Sequence, residues 1–253
     1  MKLTLLMTDE NIVGREILDV FQHHGIPIDC VITEASPRAE KEKEYLKNSF
    51  HDPAPFPELR IQSPDMKVVC VNSLNGPECQ RALEAEKPDL ILLDGSTIIK
   101  NRIFRLARYG ALNSHPGLLP EFRGVDSVRW ALFQGKTVGA TCHFIDDGID
   151  TGPILRREPV SWCKGESLLE VRVRTMRVGA QIMAQAVRGL MDGSCVPVPQ
   201  NPDEGAYFSW ASAEVQIAVD KILASQALVW GLFLIVAIHA NLCLSLFVVS
   251  AQS

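Results

Sequence analysis

Two short stretches of this 253-residue chain carry side chains whose types and spacing suit chemistry. The first is Asn113-Ser114-His115-Pro116-Gly117-Leu118-Leu119-Pro120, continuing to Phe122-Arg123-Gly124. A strand-like run enters through Ala111 and Leu112, and proline and glycine stop it. Side chains alternate along a strand, so Asn113 and His115 point to the same side at its end. An amide that can donate a hydrogen bond and an imidazole that can move a proton then stand side by side where a substrate would lie. Either residue alone reads as a turn former or a satisfied core histidine; the pair inside this Pro/Gly punctuation points to a site. The second stretch is His143-Phe144-Ile145-Asp146-Asp147-Gly148-Ile149-Asp150-Thr151-Gly152-Pro153, again a strand running into an acidic, glycine-bearing loop. Its aspartates do not follow the order of an EF-hand calcium loop. Asp146 and Asp147 read most simply as turn formers, and Asp150, preceded by Ile149 and followed by Thr-Gly-Pro, is the candidate buried carboxylate.

The elements that must position these residues are legible as short apolar runs alternating with helical patterns. Strands are predicted at 2–7, 29–33, 68–71, 90–93, 111–115 and 141–145, with helices at 12–23, 77–86 and 127–133. Near-continuous apolar strands separated by helices imply a parallel sheet covered on both faces. The predicted class is therefore α/β, doubly wound, with a mostly parallel sheet. A longer helix starts at Ser167, which with Glu170 fits a capping box. Leu169, Val173, Met176, Ala180, Met183, Val187 and Leu190 form its apolar stripe. Residues 36–57 read as a polar, proline-rich surface excursion. Ligands of such sheets gather beyond the carboxyl ends of the strands. The first of these turns, Thr8-Asp9-Glu10-Asn11, has neither GxGxxG nor GxxxxGK[ST], and its two acids would repel a phosphate. This excludes the usual dinucleotide and P-loop readings.

Composition bounds the rest. An apolar fraction of 47% supports a real core and excludes disorder. A net charge of −5 argues against sequence-independent nucleic-acid binding, so no nucleic-acid partner is expected. Seven cysteines without a CxxC spacing suit a reduced, cytoplasmic chain rather than a disulfide framework or zinc knuckle. The start, MKLTLLMTDE, does not resemble a secretory signal. After Lys221 no Asp, Glu, Lys or Arg follows, and residues 227–249 are almost wholly apolar. That length suits a membrane-spanning helix of about 20 residues, although His239 and Asn241 are costly in lipid. The same residues suit an apolar end packed on the body or on a second copy in an oligomer, or a reading-frame artefact. The chain is expected to divide into a catalytic body at 1–210 and a helix with an apolar tail at 211–253.

NSHPGLLPEFRG followed by HFIDDGIDTGPIL resembles the formyltransferases that use 10-formyltetrahydrofolate, whose members act on methionyl-tRNA, glycinamide ribonucleotide and amino sugars. The resemblance extends over roughly residues 1–210, with its specific motifs between Pro88 and Leu155. It implies a Rossmann-like formyltransferase fold and catalytic roles for Asn113, His115 and Asp150. In that chemistry an acceptor amine attacks the formyl carbon while charge grows on the carbonyl oxygen. Asn113 and a His115 N–H would face that oxygen. Asp150 would hold His115 in a useful protonation state and relay the amine's proton. Neither a metal nor a covalent intermediate is needed. The resemblance also implies contacts to the folate donor from Gly95, Ser96, Thr97 and Ile98, and from Ile145, Asp146, Asp147, Gly148 and Ile149 on the facing loop.

The acceptor is expected to be a small amine. The chain lacks the glycine- and serine-rich first loop of the glycinamide ribonucleotide enzymes. About 50 residues after Pro202 would not hold the further domain of the methionyl-tRNA enzymes. A start at Lys2 leaves no room for the regulatory domain of the hydrolase relatives. An amino sugar, nucleotide-linked, or an amino-acid derivative remains, with a methionyl-tRNA-type enzyme or a hydrolase as alternatives. Thr8, Asp9 and Asn11 resemble sugar-formyltransferase starts. Arg123 would contact an acceptor phosphate or cap its loop. Tyr207, in Tyr207-Phe208-Ser209-Trp210, would lie on the acceptor side or belong to a packed aromatic cluster.

Overall fold

The computed structural model describes residues 1–8, 11–35, 66–93, 97–201 and 203–224. Their main sheet has seven strands: β1 (Leu3–Thr8), β2 (Cys30–Glu34), β3 (Lys67–Val71), β4 (Leu90–Leu93), β5 (Ala111–His115), β7 (Gly139–Phe144) and β8 (Ile154–Pro159). The order is β3-β2-β1-β4-β5-β7-β8. The first five of these strands run parallel, while β7 and β8 are antiparallel additions. β6 (Phe122–Gly124) and β9 (Ala206–Phe208) form a separate two-stranded ribbon.

Alternation along the central strands builds two cores. Leu3, Leu5, Leu90, Leu92 and Leu112 face α1 (Ile12–His23) and the long helix α5 (Leu168–Asp192). Leu6, Ile91, Leu93 and Ala111 face the opposite way, toward α2 (Pro77–Glu86) and the short α3 (Asn101–Phe104). Asn113 and His115 continue the parity of Ala111, so both emerge on the α2/α3 side. α4 (Ser127–Phe133) and α6 (Ala213–Ala224) enclose a third cluster with Phe122, in which Val215, Val219 and Leu223 are buried. Residues 227–249 lie outside the described residues; among the described residues, no helix is long and apolar enough to cross a membrane.

The sheet class and the six predicted strands appear as the sequence implies, with ends shifted by one or two residues. β6, β8 and β9 were not predicted, for a physical reason. Two have only three residues, and β8, Ile-Leu-Arg-Arg-Glu-Pro, is an edge strand exposed over most of its length. Along α5, Val173, Ala180, Met183 and Val187 are buried as the stripe requires, whereas Leu169, Met176 and Leu190 are only half-buried. Burial extends instead to Val171, Thr175, Gly179, Ile182 and Ala186, because α5 is wedged between α1 and strands β5, β7 and β8. The capping box is present: Ser167 Oγ accepts from the Glu170 N–H, and Glu170 Oε2 accepts from the Ser167 N–H. Ser167→Ala is therefore expected to cost about 1 kcal/mol, read as a lower urea midpoint with an unchanged slope.

Candidate active site

Where β5 ends, the chain turns through Pro116 and Gly117. A Cβ at Gly117 would lie 2.8 Å from both His115 Nε2 and Ser127 Cβ, so only glycine lets the turn close over the imidazole. β7 runs antiparallel beside β5, with Asn113 opposite His143 and His115 opposite Thr141. Directly opposed residues share a face, which brings His143 against Asn113. The loop after β7 then folds back at Gly152, where a Cβ would come within 1.9 Å of the Phe144 carbonyl oxygen. This return carries Asp150 over the strand ends with a left-handed backbone, φ +56°, a conformation that Asp and Asn tolerate better than most residues.

Asn113, His115 and Asp150 are brought together, with His143 as a fourth member. His115 Nδ1 lies 3.4 Å from Asp150 Oδ2, and His143 Nε2 lies 3.5 Å from Asp150 Oδ1. Asp150 Oδ2 also accepts the Gly124 N–H at 2.8 Å. His115 Nε2 donates to the Phe122 carbonyl at 2.6 Å, with Ser127 Oγ 3.2 Å away. The N–H of a neutral His115 is thus spent on the backbone, and the nitrogen turned to the carboxylate is bare Nδ1. His143 Nδ1 donates to the Phe144 carbonyl at 2.8 Å, and Asn113 Nδ2 lies 3.3 Å from His143 Nε2. The buried Asn113 Oδ1 has no partner among the described residues, an arrangement whose cost falls when a ligand supplies a donor.

Burial pushes the His115 imidazole below its ordinary range; Asp150 opposes this and His143 reinforces it. Burial would raise the Asp150 carboxyl, but His143, His115 and the Gly124 N–H together outweigh it and hold the group at about 2, below its ordinary 3.8. At neutral pH the pair is a bare imidazole nitrogen facing a carboxylate, ready to take one proton between them.

Asn113, His115 and Asp150 form the floor of a cleft of about 610 Å³. Thr97 and Ile98 line one wall, Ile145, Asp146, Asp147, Gly148 and Ile149 another, and Tyr207 and Trp210 stand at the rim. Ile98, Ile149, Tyr207 and Trp210 are all exposed, an apolar mouth suited to flat ligand rings. Asp146 ties its own loop, accepting from the Gly148 N–H and the Thr151 hydroxyl. Asp147 pairs with Arg105 at 2.8 Å on the surface, a contact of little energetic weight. Gly95, Ser96 and Asp9 lie outside the described residues.

Three residues expected to touch the acceptor do not line this cleft. Asn11 caps α1, its Oδ1 accepting from the N–H groups of Val13 and Gly14. Thr8 is buried at the end of β1, and its carbonyl accepts from the Asn11 N–H. Arg123, on β6, is buried and donates to Gln200 Oε1 at 3.2 Å and to the Asn201 carbonyl at 3.2 Å, so its guanidinium is engaged by the neighbouring segment, closer to the loop-capping role than to a phosphate contact. Conversely, His143 and Gln200 were not singled out from the sequence. The signal for His143 was its place opposite Asn113, which becomes visible only once β7 is paired antiparallel to β5. Gln200 lies in an irregular segment without a periodic pattern. Among the described residues no group of three or more His, Cys, Asp or Glu side chains is arranged to hold a metal ion.

A buried amide, two imidazoles and a carboxylate meet at the strand ends of a mixed α/β sheet, groups whose chemistry suits proton exchange. The chain belongs to the formyl transferase family, whose sequence pattern matches residues 1–187. It is similar to the methionyl-tRNA formyltransferase of Caldanaerobacter subterraneus subsp. tengcongensis, with 29% identity over 186 residues that make up 72% of this chain and 58% of that protein. The matched region thus spans less than two thirds of that curated relative's length. The fold is similar to a sugar N-formyltransferase from Shewanella sp FDAARGOS_354, at TM-score 0.59 and 15% identity, covering 88% of each chain. It is also similar to the formyltransferase PseJ from Anoxybacillus kamchatkensis, solved with UDP-4,6-dideoxy-4-formamido-L-AltNAc and tetrahydrofolate, at TM-score 0.53 and 17% identity, covering 87% of this chain and 97% of that one.

The depressed Asp150 pKa carries a prediction about stability. Between pH 3.8 and about 2 the unfolded chain binds the proton that the folded carboxylate refuses. Stability from this group is therefore full above the unfolded value and is lost as pH falls through the folded one. The loss should be on the order of 2 kcal/mol. Asp150→Asn, which keeps the backbone conformation, should flatten urea midpoint against pH across that window; a slope matching the wild type would contradict the assignment.

Proposed function

We propose that this protein moves a formyl group from 10-formyltetrahydrofolate to the primary amine of a small acceptor, an amino sugar carried on a nucleotide or an amino-acid derivative. The observation that carries this reading is the convergence of Asn113, His115 and Asp150 on the floor of one cleft, in a chain of the formyl transferase family. Two features support the donor: Ile98 and Ile149 offer apolar surface to a flat pterin, and Asn113 Oδ1, without a partner among the described residues, can accept a hydrogen from a ligand. Thr97, Ile98 and residues 145–149 would hold the folate. Gly95 and Ser96 belong to the same reading. When bound, the folate would supply an activated formyl carbon; the amine would add to it, and the bond to the folate nitrogen would then break as that nitrogen takes the proton the amine has given to His115.

The chain's own groups divide the remaining tasks. Asn113 has one amide hydrogen beyond the contact with His143 to offer the carbonyl oxygen, and Oδ1 to orient an amine N–H. His115 Nδ1 takes the amine's proton, and Asp150 then stabilises the imidazolium through Oδ2. Phe122 and Ser127 fix the far nitrogen, so the ring does not turn away. A small acceptor suits a cleft of about 610 Å³ with Tyr207 and Trp210 at its rim. Among the described lining residues Lys100 is the only lysine or arginine, whereas RNA binding draws on many. Membrane association through residues 227–249 and an oligomer stay outside this reading.

The deciding experiment is a panel of amino-sugar nucleotides, amino acids, glycinamide ribonucleotide and methionyl-tRNA, each with 10-formyltetrahydrofolate, scored by mass spectrometry for the gain of one CO. A product with a small amine is expected. Product only with methionyl-tRNA, or formate release without any amine, would replace the acceptor class. Asn113→Ala, His115→Ala and Asp150→Ala should each lower kcat by about 10²-fold or more while circular dichroism stays native. Near-normal rates in any two would overturn the assignment.

A further inference from the structure

Arg123 and Gln200 form one device, and its target is the backbone from Asp150 to Gly152. Gln200 Nε2 donates to the Asp150 carbonyl at 2.9 Å and to the Gly152 carbonyl at 2.7 Å. Its Oε1 accepts from Arg123 Nη2 at 3.2 Å and Nε at 3.4 Å. The buried guanidinium donates further to the Asn201 carbonyl at 3.2 Å, so it fixes both the side chain and the backbone of this segment. Arg123 belongs to β6, and the next residue, Gly124, gives its N–H to Asp150 Oδ2. One strand therefore grips the carboxylate directly and, through Arg123 and Gln200, the backbone carbonyls of Asp150 and Gly152.

Such a grip answers a particular need. Asp150 sits at φ +56°, a conformation that costs an aspartate some energy and persists only where the surroundings fix it. It heads a loop whose preceding residues line the cleft, so without restraint the carboxylate could drift from His115 Nδ1. With Oε1 occupied by the guanidinium, the Gln200 amide cannot turn over, and both of its hydrogens are aimed at the loop.

We infer that Gln200, oriented by Arg123, is a positioning residue that holds Asp150 against His115 for the transfer reaction. This rests on the function proposed above. The titratable groups facing the His115 ring are Asp150 from the loop and His143 from β7, with rings of the two histidines 6.4 Å apart. Displacing Asp150 would thus remove the neighbouring charge that favours the protonated ring and lower the basicity of His115 Nδ1.

The test compares Gln200→Met and Gln200→Glu in the full chain. Met removes both donors and the acceptor; Glu keeps an acceptor for Arg123 but removes both donors and sets a carboxylate against two carbonyls. Both should lower kcat by about 10- to 100-fold, with KM for folate and acceptor changed less than about threefold, and should alter the acid limb of the kcat profile. Independently of turnover, the Gly124 amide should exchange with solvent at least about tenfold faster in both variants, because its acceptor is no longer held. Wild-type kcat and Gly124 exchange in folded Gln200→Met would overturn the inference. Wild-type behaviour confined to Gln200→Glu would overturn it too, showing that Gln200 matters only as an anchor for Arg123. If the wild type formylates nothing, the proposed function fails, while Gly124 exchange still decides whether the clamp holds Asp150.

Discussion

A carboxylate removed from water between two imidazoles is the constraint on which the site depends. Burial alone would force Asp150 to neutralise, since charge is costly away from water. It stays ionised because His143, His115 and the Gly124 N–H oppose burial, each from a different element: β7, β5 and β6. The same burial keeps His115 from charging in advance of a substrate. Neither group would be useful without the other. A lone buried histidine would be a poor base, and a lone buried aspartate would be protonated.

The sheet makes this meeting inevitable once its strands are in register. Alternation on β5 turns Leu112 and Ser114 toward α5 and leaves Ala111, Asn113 and His115 on the cleft side. The antiparallel entry of β7 sets His143 beside Asn113 and sends the following loop back across the strand ends. Glycines at 117 and 152 permit the two close approaches that fold proline and loop over the imidazole and the Phe144 carbonyl. Chemistry is thus assembled from a parallel half that supplies the platform and an antiparallel half that supplies the carboxylate.

Much of this was legible in the chain itself. Central strands such as Leu90–Leu93 and helices such as Ile12–His23 declare themselves because they are buried by both neighbours and carry clear periodicity. Asn113, His115 and Asp150 could be singled out because each lies where a strand gives way to glycine and proline. His143 was not, since its significance comes from cross-strand pairing rather than from neighbours in sequence. Arg123 left two roles open, an acceptor phosphate or its own loop, for a related reason. An arginine after a strand looks available for an anion, and only the return of residues 200–201 beneath it shows that its hydrogens are already engaged. Asn11 similarly reads as a ligand residue from its place after β1, yet the adjoining helix needs that oxygen for its first N–H groups. Local pattern reveals elements and their ends; long-range hydrogen bonds decide which polar residues remain free to act.

The most direct measurement is long-range ¹H–¹⁵N NMR of the imidazole nitrogens in the full chain at neutral pH. The account predicts that His115 carries its proton on Nε2, with Nδ1 unprotonated, and that replacing Asp150 by Asn lowers the pH at which this ring charges. A His115 ring protonated at Nδ1 in the neutral form, or a titration indifferent to Asp150, would contradict it.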